Sequence, residues 1–206
     1  MSETENSFAT ARSEIFGFIW EILKVVVISL AIIIPVRYFL VQPFFVRGAS
    51  MQNTFMDGDY ILIDEISYRF REPQRGDAVV FKFPEDHTQF FIKRIIGLPG
   101  ETVEVVNNKV IVYIARHPNG MTLDESAYLS STQRTNGTVK TILRNDQYFV
   151  LGDNRLQSSD SRYWGSLSRD LIIGRVFSRA WPLNKIELFH APLYTFQRFA
   201  PVALGL

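Results

Sequence analysis

Residues 15–46 read IFGFIWEILKVVVISLAIIIPVRYFLVQPFFV. No charge interrupts 25–36, and carrying the run back to Phe16 takes in only Glu21 and Lys24, which can pair three residues apart on a helix. About 20 helical residues at ~1.5 Å each cross the ~30 Å hydrocarbon layer of a bilayer. The stretch is therefore read as one membrane-spanning helix over 16–36, ending at Pro35 or shortly after. Two other readings compete. A buried core helix would suit Glu21, Lys24 and Pro35. A cleavable signal peptide would need a basic flank and a shorter apolar run, whereas Glu3, Glu5 and Glu14 outnumber Arg12. Loop charge does not orient the span, because Lys24, Arg37 and Arg47 compete with Arg12.

Upstream, 1–14 (MSETENSFATARSE) are polar and read as disordered. Downstream, the pattern changes after Gly48 from helical to period two. Strands are predicted at 60–63, 78–83, 89–96, 102–106, 109–114, 139–143, 147–151, 172–180 and 185–189. They are short, rich in Val, Ile, Phe and Tyr, and bounded by Gly, Pro, Asn and Asp. Asn107-Asn108 reads as a tight hairpin, since Asn tolerates positive φ. The polar, weakly patterned stretch 114–138 reads as an insertion or small cap. No helix longer than two turns is predicted after residue 70. The apolar tail 188–206 would pack on the domain or lie at a membrane surface. The fold class is mostly β: a transmembrane helix feeding an all-β domain, 37–206.

Composition narrows the chemistry. Lys+Arg is 22 and Asp+Glu 21, a net charge of +1, which lacks the basic surplus a nucleic-acid binder needs. The absence of Cys excludes disulfides, thiolate metal sites and a Cys nucleophile. With only His87, His117 and His190, a multi-histidine metal site is not expected, and neither metal nor cofactor is predicted.

Three segments differ from ordinary strand and turn sequence. Gly48-Ala49-Ser50-Met51-Gln52-Asn53-Thr54 places a Ser among small residues that let another backbone approach; alone, it is equally a hydrogen-bonding turn. In Phe90-Phe91-Ile92-Lys93-Arg94-Ile95-Ile96, alternation puts Lys93 with Phe91 and Ile95, and Arg94 with Phe90, Ile92 and Ile96. Both faces are apolar, so at least one cation is desolvated, and desolvation lowers a lysine pKa toward that of a general base. An edge strand with snorkelling cations is the plainer reading. In Gly152-Asp153-Asn154-Arg155-Leu156-Gln157-Ser158-Ser159-Asp160-Ser161-Arg162, short polar side chains crowd a loop that an Asp160–Arg162 pair could fix. It is also readable as a self-capped surface loop. A Ser nucleophile with a Lys base needs neither His nor Cys.

Together these segments resemble bacterial type I signal peptidase, the membrane-bound Ser/Lys endopeptidase that removes signal peptides from exported proteins. The likeness lies in Ser50-Met51 after the apolar helix, in Lys93-Arg94-x-x-Gly97-x-Pro99-Gly100, and in Gly152-Asp153-Asn154-Arg155 continuing through Ser158, Asp160, Ser161, Arg162 and Gly165. Gly58-Asp59 and Gly76-Asp77 also fall where the family carries such pairs. The resemblance implies Ser50 as nucleophile, Lys93 as general base, Ser158 orienting the Lys, and Asp160 with Arg162 supporting the loop. It implies coiled antiparallel sheets, and a pocket for a small residue such as Ala lined by Val46, Met51, Phe55, Phe91 and Ile92. The Ser50 backbone N–H would be one oxyanion donor. Asn53 stands where the family usually has Pro, and Gly48 where many members have a Ser that supplies a second donor.

The implied partners are the signal peptides of preproteins, the lipid bilayer and, as a further candidate, the export translocon. The implied location is the cytoplasmic membrane, single-pass, with the tail 1–15 cytoplasmic and the catalytic domain facing the periplasm or cell exterior. A Ser/Lys protease with one dedicated substrate, and an inactive membrane-anchored binding domain, are the alternatives.

Overall fold

The computed structural model describes residues 3–39, 41–130, 132–192, 194 and 196–197. The chain divides into two units, 1–41 and 42–206.

The first unit is one helix, α1, Glu3–Phe39. Within it, Phe16–Ile34 is long and apolar enough to cross a bilayer, and none of it is buried. A core helix would be covered by the rest of the protein; this one exposes Trp20, Leu23, Val27 and Ile33 to the outside. Lys24 donates to Glu21 at 2.6 Å, which moderates the cost of two charges in the apolar run. The helix starts at Glu3, so residues 3–14 are helical where disorder was expected. The segment holds no Gly or Pro, and a helix already nucleated by the apolar run extends at one hydrogen bond per residue. Pro35 lacks the N–H that would bond back to Ala31, and the helix stops four residues later.

The second unit is built from two antiparallel sheets. Its strands are β1 Val41–Phe45, β2 Tyr60–Asp64, β3 Ala78–Phe83, β4 Asp86–Gly97, β5 Thr102–Val106, β6 Lys109–Ile114, β7 His117–Leu123, β8 Val139–Ile142, β9 Gln147–Leu151, β10 Leu167–Ser168, β11 Ile172–Trp181, β12 Glu187–Leu188 and β13 Phe196–Gln197. One sheet has the order β1-β2-β11-β3-β4-β9-β10, with β12 also on β11. The other runs β13-β7-β6-β5-β8. Two single-turn helices, α2 Ser67–Phe70 and α3 Ser161–Trp164, complete it, in keeping with the expectation of no long helix.

The sheets meet where β4 ends. Ile96 and Leu151 of the first sheet share a buried cluster with Val103, Val105 and Val110 of the second. Gly97 sits at this corner, where a Cβ would lie 2.3 Å from Val103 Cγ2 and 2.7 Å from Leu143 Cδ1, so only Gly fits. Asn107 and Asn108 make the expected hairpin with φ of 52° and 61°. β7 lies inside the stretch read as an insertion: Val112 pairs with Met121 and Ile111 with Thr122, so 117–123 is a sheet strand. Its sequence HPNGMTL hides the alternation, because Pro118, Asn119 and the positive-φ Gly120 interrupt it. The strand predicted over 185–189 shortens to Glu187–Leu188 behind a 3-10 turn at Leu183–Lys185. The described part of the tail packs on the domain, with β13 paired to β7.

Candidate active site

The register of one strand decides which cation goes where. β4 pairs with β3 so that Val79 opposes Lys93 and Val80 opposes Ile92. On its other side β4 meets β9 only from Arg94, opposite Leu151, onward. Among the described residues, the part of β4 before Arg94 thus has one free edge. Lys93 and Arg94 point to opposite faces, and both are buried, at 3% and 5% exposure. The snorkelling reading therefore fails.

Lys93 Nζ donates to Ser50 Oγ at 2.9 Å and to the Ile92 carbonyl at 2.9 Å. Ser50 belongs to the turn after β1, and the two side chains meet across 43 residues of sequence. Burial pushes the Lys93 ammonium down to about 8, against the pull of Asp160 and Asp153. At ~1.36 kcal/mol per tenfold shift in proton affinity, holding a lysine neutral at pH 7 costs on the order of 4–5 kcal/mol from its ordinary value. Burial here covers about 3 kcal/mol of that. The remaining cost keeps most of the amine protonated at pH 7, with one N–H directed at Ser50 Oγ.

Arg94 turns away into structure. Its Nε and Nη2 grip Asp153 Oδ1 and Oδ2 at 2.9 and 2.6 Å, and Nη1 donates to the Gly76 carbonyl at 2.8 Å. Asp153 also accepts from Thr54 Oγ1 at 2.5 Å, and its backbone N–H donates to the Met51 sulfur at 3.4 Å. The Asn154 N–H donates to the Ser50 carbonyl at 3.0 Å. The turn carrying Ser50 is therefore clasped at Ser50, Met51 and Thr54 by the loop after β9. Gly152 makes that approach possible: a Cβ there would stand 2.2 Å from Ser158 Oγ and 2.5 Å from the Ser50 carbonyl oxygen.

The Asp160–Arg162 pair forms as expected. Arg162 Nε and Nη2 donate to Oδ1 and Oδ2, each at 2.8 Å, and Asp160 also accepts from the Gly152 N–H at 3.1 Å. Ser158 differs from its expected role. It is buried beside Gly152, but its Oγ has no hydrogen-bond partner, and the Lys93 donors go to Ser50 and Ile92 instead. The Gly48 N–H donates to Asp57 Oδ1 at 2.7 Å, so that amide is not free to serve as a second oxyanion donor. The Gln52–Asn53 peptide is cis.

A groove of about 670 Å³ opens on Ser50 and Lys93. β1, at the end of its sheet, and the free part of β4 form its walls, with Val46, Phe91 and Ile92 among the lining residues. Phe44 of β1 and Phe90 of β4 touch edge to face at 5.6 Å. Met51 and Phe55, expected in the pocket, lie outside the lining. Both are fully buried in the core that also contains Val46, Ile61 and Val80, so they back the pocket wall instead of presenting it. Asp153 and Arg155 were named in the sequence, but their pairing with Arg94, Thr54, Glu125 and Thr135 was not. The signal available was the density of charge in a segment ending an apolar strand. Among the described residues, no cluster of His, Asp and Glu is suited to a metal ion.

Residues 19–181 match the family described as signal peptidase, peptidase S26. A probable signal peptidase I-2 of Synechocystis sp. is 40% identical over 174 residues, 82% of this chain and 76% of its own. The signal peptidase I of Leptolyngbya laminosa is 37% identical over 180 residues, 84% of this chain and 85% of that one. Among solved structures, a signal peptidase I from Enterococcus faecalis V583 is 32% identical, with a TM-score of 0.42 over 51% of this chain and 97% of that chain. With the family matched from the apolar helix to the end of β11, and relatives of this identity over more than four-fifths of its length, the chain belongs to the signal peptidase family, peptidase S26.

Proposed function

We propose that this protein is a signal peptidase I, an endopeptidase that cleaves signal peptides from exported preproteins after small residues, with Ser50 as nucleophile and Lys93 as general base. The observation that carries the reading is the 2.9 Å contact between Lys93 Nζ and Ser50 Oγ, made by a lysine that burial holds near a pKa of about 8. Neutral Lys93 takes the Ser50 proton as Oγ attacks the scissile carbonyl, then passes that proton to the departing amine as the C–N bond breaks, giving the acyl-enzyme, the free mature amino terminus and a neutral lysine again. The same amine then activates the deacylating water. The Ser50 backbone N–H is one donor to the oxyanion.

The groove supports a β-strand mode of substrate binding. A peptide laid between β1 and the free edge of β4 would gain main-chain hydrogen bonds from both and point alternate side chains at Val46, Phe91 and Ile92. The narrow, apolar lining favours small residues at those positions. The exposed apolar stretch Phe16–Ile34 supports a single-pass anchor in the cytoplasmic membrane. On this reading the catalytic unit faces the periplasm or cell exterior, and the bilayer and the export translocon are its surroundings.

The test is cleavage of several unrelated preproteins by the detergent-solubilised full chain. Wild type should process them all; Ser50→Ala and Lys93→Met should each lose about 10³-fold or more while keeping the wild-type thermal transition. Near-normal cleavage by Lys93→Met would overturn the mechanism, and cleavage of a single preprotein would point to a dedicated processing role.

A further inference from the structure

The loop behind the reacting pair is itself held from outside, by a segment of the chain to which no role has been given. Arg155 is fully buried. Its Nε donates to the Gly152 carbonyl at 3.0 Å. Its Nη1 donates to Glu125 Oε2 at 2.8 Å and to Thr135 Oγ1 at 2.5 Å, and its Nη2 donates to Glu125 Oε1. Glu125 is itself 11% exposed and also accepts from the Tyr128 hydroxyl at 2.7 Å. The Tyr128 ring lies 4.2 Å from the guanidinium of Arg94, the residue that grips Asp153. Farther along, Arg162 reaches the same segment through the Asn136 carbonyl at 3.0 Å.

These contacts converge on one residue, Gly152, and fix the peptide planes on both sides of it. The Gly152 carbonyl is fixed by Arg155 and its N–H by Asp160, and its α-carbon abuts both the Ser50 carbonyl and Ser158. A guanidinium with no exposure must be neutralised where it lies, and Glu125 is the carboxylate that does so. Removing Glu125 leaves Arg155 a buried unpaired charge, which must swing toward water and take its hold on Gly152 with it. The groove walls at Val46, Phe91 and Ile92 make none of these contacts, and of the loop itself only Gln157 and Ser159 reach the lining, so most of the binding surface stands apart from them.

We infer that Glu125 is a positioning residue for the cleavage reaction. It acts through Arg155 to set the Gly152 backbone against which Ser50 is registered, and Glu125 with Tyr128 and Thr135 is thereby a working part of the active site. This rests on the Ser50–Lys93 reading. Wild-type cleavage lost in Ser50→Ala establishes that reading in the same assay, whatever the Glu125 variants do.

The test measures kcat, KM and thermal unfolding of the full chain in detergent for Glu125→Gln, Glu125→Asp and the paired change Glu125→Met with Arg155→Met. A displacement of about 1 Å at a reacting group costs on the order of 10²-fold. Glu125→Gln should therefore lower kcat about 100-fold with KM within twofold of wild type, and Glu125→Asp, which keeps the charge, should recover part of the loss. The paired change removes both buried charges together, so it should fold near the wild-type transition and still lose about 100-fold in kcat. A paired variant that folds and turns over within threefold of wild type overturns the inference, as does one that fails to fold, or a Glu125→Gln loss that falls on KM.

Discussion

Lys93 and Arg94 are neighbours on one strand, equally buried, and differently used. Alternation sends Lys93 to the Ser50 side and Arg94 to Asp153. Arginine stays charged and needs a carboxylate; lysine can be driven neutral by burial, and only lysine can then accept a proton. With Lys93 held at about 8, kcat/KM should rise with pH through a midpoint near 8 and level off above it, read from initial cleavage rates. Stability should follow the same group. Between about 8 and 10.5 the unfolded lysine binds a proton that the folded one does not, so stability should increase with pH across that window, and the burial cost of about 3 kcal/mol is fully felt below it. Ser158 offers a separate measurement. Its Oγ is buried without a partner, so Ser158→Ala loses no hydrogen bond and should leave the thermal transition unchanged. A fall in kcat at constant stability would show that the hydroxyl engages Lys93 when substrate is bound. That at least one of the two cations is desolvated was legible from the apolar residues around them; that both are was not. Which of them met Ser50 came from the family resemblance and not from the local pattern, because that partner lies 43 residues away.

The loop after β9 is the element on which the site depends. From Gly152 to Gly165 nine positions were recognisable from sequence, and the Asp160–Arg162 pair forms as the spacing of the two residues suggests. Its hold on the Ser50 turn could not be read the same way. The Asp153–Arg94 grip and the Asn154–Ser50 bond join residues about 60 and 100 positions apart. Gly152→Ala tests this element directly. The added Cβ would fall on the backbone oxygen of Ser50, which cannot move without moving that residue, so on the proposed mechanism activity should fall at least 100-fold. The same variant should lose stability by about 1–3 kcal/mol in thermal unfolding. β7 makes the opposite case. In the same sheet β5, with clean alternation, and β6, a run of β-branched residues, were predicted with the bounds observed, whereas β7 buries only Gly120, Met121 and Leu123 and is a strand because β6 offers it an edge. Tertiary pairing outweighed a weak local pattern there.

At the scale of the whole molecule, the C-terminal tail closes over the same network. A Cβ on Gly76 would meet Pro192 and Tyr194 side-chain atoms at 2.8 Å, and the Gly76 carbonyl is the one that Arg94 holds. The Tyr194 hydroxyl donates to that of Tyr128 at 3.3 Å. Ending the chain at Phe189 should therefore lower the thermal transition by several degrees, about 1–3 kcal/mol, and reduce kcat with it. An unchanged transition would show the tail to be dispensable. The sequence by itself determined the anchor, the all-β class and the chemistry open to the chain. Those follow from local properties: an apolar run of bilayer length, period-two alternation, and a composition without Cys and poor in His. Only the tertiary structure decided which lysine proton faces which serine, that Met51 and Phe55 stand behind the groove wall, and that Glu125 supports the loop. Each of these depends on sheet register and on chain segments far apart in sequence, and a one-residue shift in register would exchange the faces of Lys93 and Arg94.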